Sequence, residues 1–372
     1  MIPSCLNFPD HTSDQRSFAY SPHVAQALYR AYSHVQQKQL GSFEANLLPL
    51  LMQPMTPAQR MRLLYVLSLA ALRNKVYAAA LDYADAGLEI AHRQGDAGSS
   101  AILARMAGIA SHNLQKFRFA YNHYLHVMSA LGDLKSLPQN NLDRFDILRR
   151  LAINTFLLAR YSEAAQYLQY AREIASQYDN MKLDVARLDW LDALVYRWHR
   201  QPFSAVRAIQ SAAITFEASA DQFERGRFHI AYAEVALECV EYIQGISDNK
   251  TFFLHLVEHH VTDGLSDVLE TQDIAGKGLA LLAQARFARL AHRNEDDQST
   301  LDKVEMIADQ LQDAPLLAQT HTARGDAFAE RDEISSALTC YRMAIDALAE
   351  SDSQAYKLRP QRSLWTLQEM RN

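Results

Sequence analysis

Two histidines and a glutamate are spaced so that they could share a metal ion. In the stretch HLVEHH, His255 and His259 are four residues apart, so on a helix both rings lie on one face and could reach one metal. Glu258 lies between them. The stretch therefore suggests either a metal site or, with no chemistry at all, the packed or exposed face of a helix.

The same stretch resembles HxxEH, the zinc pattern of the inverted zincin peptidases. That resemblance implies a distant acidic ligand, for which Glu295, Glu305 and Glu330 are candidates. The match covers five residues with three of them fixed, and nothing around it resembles the rest of such a peptidase. A metal-dependent hydrolase that uses His255, Glu258 and His259 is kept as the alternative function, and no catalytic residue or cofactor is assigned.

Other patterns that could carry chemistry are incomplete. AGKG at 275–278 lacks the upstream glycine and the hydroxyl residue of a phosphate-binding loop. The sequence contains neither GxSxG nor CxxC. His112, His123 and His126 form a loose group that we interpret as polar rim residues.

The composition indicates a helical protein of the cytoplasm. Glycine (12) and proline (10) are scarce among 372 residues, of which 49% are apolar. The net charge of −6 argues against a general nucleic-acid or acidic-membrane binder. No apolar run approaches the ~18–20 residues that span a bilayer. Three cysteines far apart, and an N-terminus without a basic start and apolar run, predict a cytoplasmic location.

Small residues recur among helical stretches. Apolar residues follow the spacing i, i+3, i+4, i+7, with short polar turns between the periodic segments. In the segment 324–348, Gly325 and Ala337 are expected at the crossing of two antiparallel helices, and Ala344 is expected to touch the next pair. The gaps between these small residues would be filled by Phe328, Ile334 and Tyr341.

This pattern resembles the tetratricopeptide repeat (TPR), in which small and large residues alternate at fixed positions of a two-helix unit. Four upstream segments match it, with equivalent residues at Ala80, Ala120, Ala164 and Val206, which are 40, 44 and 42 residues apart. The fourth segment is the poorest match and contributes Leu194, Val206, Gln210 and Ala213. The period exceeds that of the standard repeat and resembles the long repeats in sensor regions of bacterial transcriptional regulators.

The predicted architecture is therefore all-α, a right-handed α-solenoid of about seven TPR-like helical hairpins. Residues 1–20 are expected to form a polar arm and 21–56 a helical lead-in. The repeat array is predicted over 57–350, with degenerate repeats at 221–313, and 351–372 are expected to form a capping helix.

The resemblance also implies a ligand groove, because the first helix of each hairpin lines the concave face. In the TPR family the second, fifth, ninth, twelfth and thirteenth positions of that helix point into the groove. Its groove-facing positions here are Arg62, Tyr65 and Arg73, then Arg105, Ile109, His112 and Asn113, then Arg149 and Ile153. Four arginines on one face could bind carboxylates or phosphates. An acidic peptide or a free C-terminus is the expected ligand, unless these arginines pair with neighbouring acids or are merely solvated.

The predicted function is a non-enzymatic scaffold or sensor for a protein or peptide, and the resemblance suggests bacterial signalling or transcription control. No helix-turn-helix module is found, so any contact with DNA is expected to run through a partner. No cofactor and no membrane contact are expected. Self-association along exposed hairpin faces remains a third possibility.

Overall fold

The computed structural model describes residues 47–133, 138–243, 248–292 and 297–371, and the elements in these ranges are helices joined by short turns. No strand occurs in these ranges, and no helix within them is long and apolar enough to cross a membrane. The predicted arm, 1–20, and the lead-in as far as residue 46 lie outside the described residues. The lead-in ends in a short 3-10 helix, Leu48–Met52.

Fifteen α-helices follow within the described residues. The first eight are α1 (Pro57–Arg73), α2 (Tyr77–Gln94), α3 (Ala97–Asn113), α4 (Phe117–Asp133), α5 (Pro138–Leu157), α6 (Tyr161–Ala175), α7 (Lys182–Trp198) and α8 (Pro202–Ser219). The remaining seven are α9 (Gln222–Tyr242), α10 (Asp248–Glu270), α11 (Ile274–Leu290), α12 (Asp297–Leu311), α13 (Ala314–Glu330), α14 (Ile334–Ala347) and α15 (Gln354–Arg371).

The chain divides into two compact units, Met1–Asn154 and Thr155–Asn372. In unit 1, α1 packs on α2 and α3 packs on α4. In unit 2 the packed pairs are α7 with α8, α9 with α10, α11 with α12, and α13 with α14. Together with α5 and α6, which a three-residue turn joins, these helices make seven consecutive pairs followed by α15. The prediction of an all-α protein of about seven helical hairpins is confirmed.

Glycines mark the positions where the two helices of a hairpin approach most closely. A methyl group on Gly108 of α3 would lie 2.6 Å from Cε1 of Tyr124 in α4. A methyl group on Gly325 of α13 would lie 2.6 Å from Cε1 of Tyr341 in α14. Each glycine precedes its tyrosine by the same sixteen residues, so the repeat spacing of the sequence becomes a repeated contact in space.

The last hairpin shows how the small and large residues share its interior. Ala337 and Ala344 are fully buried, and the Tyr341 hydroxyl donates a hydrogen bond of 2.8 Å to Oδ1 of Asp326. Ala344 packs with Ala318 of its own hairpin, and Tyr356 of α15 packs against the same group. The last helix therefore packs on the cluster that contains Ala344, where a further hairpin was expected.

Five hairpins turn in the same way, with one residue in the left-handed conformation between the two helices. These residues are Lys75, Gln115, Ala159, Arg200 and Asp332, with φ between 58° and 62°. In each turn the next amide donates back to the carbonyl five residues earlier, as Val76 does to Ala71 at 2.9 Å. That bond closes a Schellman motif, which satisfies the last carbonyls of the first helix without requiring glycine.

The turn geometry corrects the predicted register of the fourth hairpin. The left-handed residue follows the small residue of the first helix by seven positions, as Gln115 follows Gly108. Counting back from Arg200 places Ala193 at that position, one residue before the predicted Leu194. The fully buried residues Ala193, Ala205, Ile209 and Ala212 agree with the shift. Neighbouring apolar residues, such as Ala205 beside Val206, made both registers compatible with the sequence pattern.

Two glycine substitutions in α3 test the close approach. Gly108→Ala should destabilise the protein by about 1–3 kcal/mol, because the added methyl overlaps the buried ring of Tyr124. Gly98→Ala is the matched control, since its methyl would meet only Asp96 Oδ1 at 3.6 Å. It should stabilise by about 0.5 kcal/mol through helix propensity. Midpoints of urea denaturation measure both changes, and equal shifts would contradict the proposed contact.

Candidate functional site

The first helices of the hairpins in unit 2 line a cavity of about 250 Å³. Its wall comes from side chains of α7, α9, α11 and α13, while α15 closes another side. The wall residues from the repeats are Arg197, Trp198, Glu238, Glu241, Leu282, Arg286, Gln319, Thr322, Ala323 and Asp326. We call this surface the groove face of unit 2.

Arginines and carboxylates alternate along the groove face of unit 2. Arg197 of α7 pairs with Glu234 and Glu238 of α9. Arg286 of α11 lies between Glu238 and Glu241, with Nη2 at 3.1 Å and 2.9 Å from one Oε1 of each. Each arginine thus joins its own hairpin to the neighbouring one, and the chain of ion pairs holds the face in one arrangement.

Glu241 is the most heavily paired carboxylate of this network. It accepts from Arg286, Arg289 and Arg359. Burial alone would raise the pKa of Glu241, but the guanidiniums of Arg286, Arg359 and Arg289 hold that pKa well below its usual value. The carboxylate therefore stays ionised, and its charge remains available to position cations at the cavity wall.

The last helix supplies the remaining cation. Arg359 of α15 donates to Asp326 Oδ2 at 2.8 Å, to Glu241 Oε2 at 3.1 Å and to Glu238 Oε1 at 3.2 Å. The predicted capping segment therefore reaches back to α9, besides packing on the last hairpin. Its Tyr356 ring meets Trp198 of α7 edge-on, at a centroid distance of 5.2 Å.

Two of the arginines predicted for the groove meet in unit 1 at one carboxylate. Arg105 of α3 donates to Asp146 Oδ2 of α5 at 2.6 Å, and Arg149 of α5 donates to Oδ1 of the same residue at 3.1 Å. Arg150 adds a third guanidinium at 2.9 Å, and Asp143 lies 3.4 Å from Arg105. Burial alone would raise the pKa of Asp146, but the three arginines hold it far below its usual value.

The two arginines differ in how much of the side chain reaches solvent. The Arg105 side chain is 13% exposed and that of Arg149 is 31% exposed. Three guanidiniums surround two carboxylates, so the cluster keeps an excess positive charge. Pairing with neighbouring acids, which the sequence left open, is thus how both side chains are held, and Arg149 retains the larger exposed fraction.

The other predicted groove residues have separate environments in unit 1. Arg62 and Arg73 are half-buried on α1, whereas Tyr65 lies in the hydrophobic core of the first hairpins. His112 Nδ1 lies 3.2 Å from Asn154 Oδ1, and burial lowers the pKa of His112. The side-chain amide of Asn113 donates to the backbone carbonyl of Ile109 in its own helix.

The HxxEH residues are spread over the surface of α10. His255 is exposed, Glu258 is half-buried, and the His259 side chain is 61% exposed with Nδ1 3.4 Å from Asp263. Of the candidate distant acids, Glu305 pairs with Arg324 and Glu330 pairs with Arg289, and Glu295 lies outside the described residues. Over the part of the chain that the structure describes, no three His, Cys, Asp or Glu side chains form a group that could hold a metal. The hydrolase alternative gains no support.

His260, which directly follows the HxxEH residues, is buried. His260 Nδ1 lies 2.8 Å from Nδ1 of His229 in α9, and its ring stacks on Tyr232 at a centroid distance of 3.9 Å. One imidazole must donate and the other accept, so at least one of them is neutral. Burial, together with the neighbouring His229 and His259, lowers the pKa of His260 to about 3. Sequence reasoning missed this pair because its members lie 31 residues apart.

The cavity of unit 2 was also missed, although the groove rule contained the signal. Applied to the last hairpin, the second, fifth and ninth positions give Gln319, Thr322 and Asp326, all of which line the cavity. In the fourth hairpin, the corrected register puts Arg197 and Trp198 at the twelfth and thirteenth positions. The sequence analysis assigned groove positions in the first three hairpins alone. In the fourth hairpin, the register error of one residue would have shifted the groove positions away from Arg197 and Trp198.

Comparison with known proteins identifies the fold. No model of a known protein family matches the sequence, and no curated protein matches it. Solved structures do match: the apo form of RapI has a TM-score of 0.63 at 13% identity, over 78% of this chain and 98% of RapI. A tetratricopeptide repeat protein from Parabacteroides merdae ATCC 43184 has a TM-score of 0.52 at 13% identity, over 83% of this chain and 99% of the other.

NprR in complex with its cognate peptide NprX is similar over a longer part of this chain. The TM-score is 0.54 at 12% identity, and the match covers 94% of this chain and 99% of NprR. At sequence identities of 12% and 13%, these similarities show a shared fold alone. The chain is a TPR-like helical repeat protein.

The buried histidine pair generates a prediction about pH. His229 and His260 both have lowered pKa values in the folded chain, whereas an unfolded histidine titrates near ~6.5. Their contribution to stability is therefore complete above pH ~6.5 and is lost as the pH falls toward 3, by at most about 1.4 kcal/mol per pH unit for each histidine. His260→Gln removes one of these groups and should flatten the fall in melting temperature between pH 6.5 and 4.5.

His255→Gln provides the control for that measurement. His255 lies exposed on the same helix, so its replacement should reproduce the pH profile of the wild type. Asp263, Asp267 and Glu217 also act on His229, and they are present in both variants. A His260→Gln profile as steep as that of the wild type would contradict the assigned role of the pair.

Proposed function

We propose that this protein is a non-enzymatic scaffold or sensor of the cytoplasm that binds a peptide or a protein segment on the first helices of its hairpins. The observation that carries the proposal is the repetition of polar, ion-paired side chains on the first helices of the hairpins. In unit 2 these positions enclose a cavity of about 250 Å³. In unit 1 they form the arginine cluster around Asp146.

Preorganisation supports a binding role. Side chains that are already held by ion pairs lose little further conformational freedom when a ligand arrives. Arg105 and Arg149 are fixed by Asp146, and Arg286 is fixed by two glutamates. A face of this kind can recognise charged or hydrogen-bonding groups without a large ordering cost.

The excess positive charge of unit 1 favours an anionic group as the ligand there. The Arg149 side chain beside Asp146 is 31% exposed, and guanidiniums bind carboxylates through paired hydrogen bonds. An acidic peptide segment or a free C-terminal carboxylate fits that chemistry. NprR, which has the same fold, was solved with its cognate peptide, and a peptide ligand for this chain is consistent with that likeness.

A synthetic hexapeptide library tests the proposal and the role of the arginines. The library is prepared with free C-terminal carboxylates and, separately, with C-terminal amides, and captured peptides are identified by mass spectrometry. We expect enrichment of peptides with an acidic residue or a free carboxylate. Arg149→Gln should weaken their capture by about tenfold or more, as expected for the loss of a charged hydrogen-bond donor.

The choice of substitution and control follows from the contacts. Glutamate at position 105 would place a third carboxylate beside Asp143 and Asp146, so Arg105→Gln is the appropriate second variant. Arg93→Gln is the matched control, because Arg93 lies exposed on the second helix α2 and pairs with Glu89. Capture by the arginine variants at the wild-type level, with unchanged helicity by circular dichroism, would refute the groove of unit 1.

A separate variant tests whether the ligand binds in the cavity of unit 2. Gln319 borders the cavity, and Gln319→Trp should fill part of its volume while leaving the ion pairs in place. If the ligand binds in this cavity, the variant should lose capture by about tenfold or more. Failure of the wild-type protein to retain any library peptide would contradict the peptide-binding proposal as a whole.

A further inference from the structure

The last helix covers the groove face of unit 2 where a ligand would lie. Leu358, Arg359 and Ser363 of α15 form part of the cavity wall, opposite the first helices of four hairpins. At its beginning, Ser353 Oγ lies 3.4 Å from the carbonyl of Leu157, and Tyr356 contacts Trp198. The helix thus spans the face from α7 to α13, beyond the end of the repeat array.

Charge complementarity explains why α15 lies there. The repeats contribute more carboxylates than arginines to the ion-pair network of the groove face. The carboxylates are Glu234, Glu238, Glu241, Asp326 and Glu330, and the arginines are Arg197, Arg286 and Arg289. Without α15 the paired groups carry an excess of two negative charges, and Arg359 supplies one of the missing cations.

The attachment of α15 is strong at one point and weak beyond it. Arg359 makes ion pairs to two hairpins, yet its side chain remains 30% exposed. Pro360 follows directly and cannot donate a backbone hydrogen bond within the helix. No residue from 361 to 369 is buried. A segment with so few buried contacts opens at a lower free energy than the helices of the repeats.

We propose that α15 is an internal occupant of the groove face of unit 2, fastened by Arg359, and that a ligand enters the cavity when α15 is released. The inference rests on the proposed function, because it assigns the regulation of that same site. The closed form lowers the apparent affinity for a ligand in proportion to the small fraction of open chains. A change that weakens the fastening raises that fraction and opens the cavity.

Hydrogen exchange of the full chain measures the release. Arg359→Gln removes the cation and keeps a side chain of similar length. We expect amide exchange in residues 361–371 to accelerate by about tenfold or more, while α9, α11 and α13 exchange as in the wild type. Arg342→Gln makes the same change at an exposed position of α14 that does not line the cavity, and it should leave exchange unaltered. Equal acceleration throughout unit 2 would show that Arg359 holds the repeats together and would overturn the proposal.

Access to the cavity is measured chemically. Thr322 lines the cavity and is buried, so Thr322→Cys places a thiol beneath α15. Its labelling by N-ethylmaleimide should be about tenfold faster or more in combination with Arg359→Gln than alone, and unchanged in combination with Arg342→Gln. Labelling of the chain without Thr322→Cys gives the background from the native cysteines. Equal rates with and without Arg359→Gln would overturn the proposal.

A milder variant and the independence of the readouts keep the test decisive. If Arg359→Gln fails to fold, Asp326→Asn removes one of its three carboxylates and should produce a smaller change in the same direction. Neither readout uses a peptide. Release of α15 with no peptide captured would refute the proposed function alone, whereas peptide capture by a chain that shows no release would refute this inference alone.

Discussion

The structure depends on the close contact between the two helices of each hairpin. Where the first helix carries glycine, as at Gly108, the ring of Tyr124 fills the space that a side chain would need. Where it carries serine, as at Ser68, the hydroxyl donates to the carbonyl of Ala80 in the second helix. Because this contact recurs at equivalent positions, groove positions recur on the first helices of successive hairpins.

Ion pairs then connect one hairpin to the next. Arg197, Arg286 and Arg105 each reach a carboxylate on a neighbouring first helix, so the polar face of the repeats also links them. Such buried networks contribute little net stability, but removal of one partner is costly because it leaves a charge unpaired. Their main consequence is a groove face with one defined arrangement of donors and acceptors, which suits recognition better than chemistry.

Unit 2 combines this rigid face with a loosely attached last helix. The repeats bury small residues and large rings, whereas α15 beyond Pro360 buries none of its described side chains up to residue 369. In the proposed binding function, the ion-paired face keeps the site formed and the weakly held helix is the part that opens to a ligand. The two properties reside in different segments, so substitutions can alter them separately.

The sequence by itself determined the helices and their pairing into hairpins, because these follow from periodicity within about forty residues. The sequence correctly placed Gly325 and Ala337 inside the last hairpin. The groove positions of the repeat, counted in that hairpin, fall on Gln319 and Asp326, which line the cavity. Only the tertiary structure decided which charges meet. Arg105 and Asp146 are 41 residues apart, and Arg359 and Glu238 are 121 apart. Such partners depend on the register between neighbouring hairpins and on the path of the last helix, which no local pattern encodes.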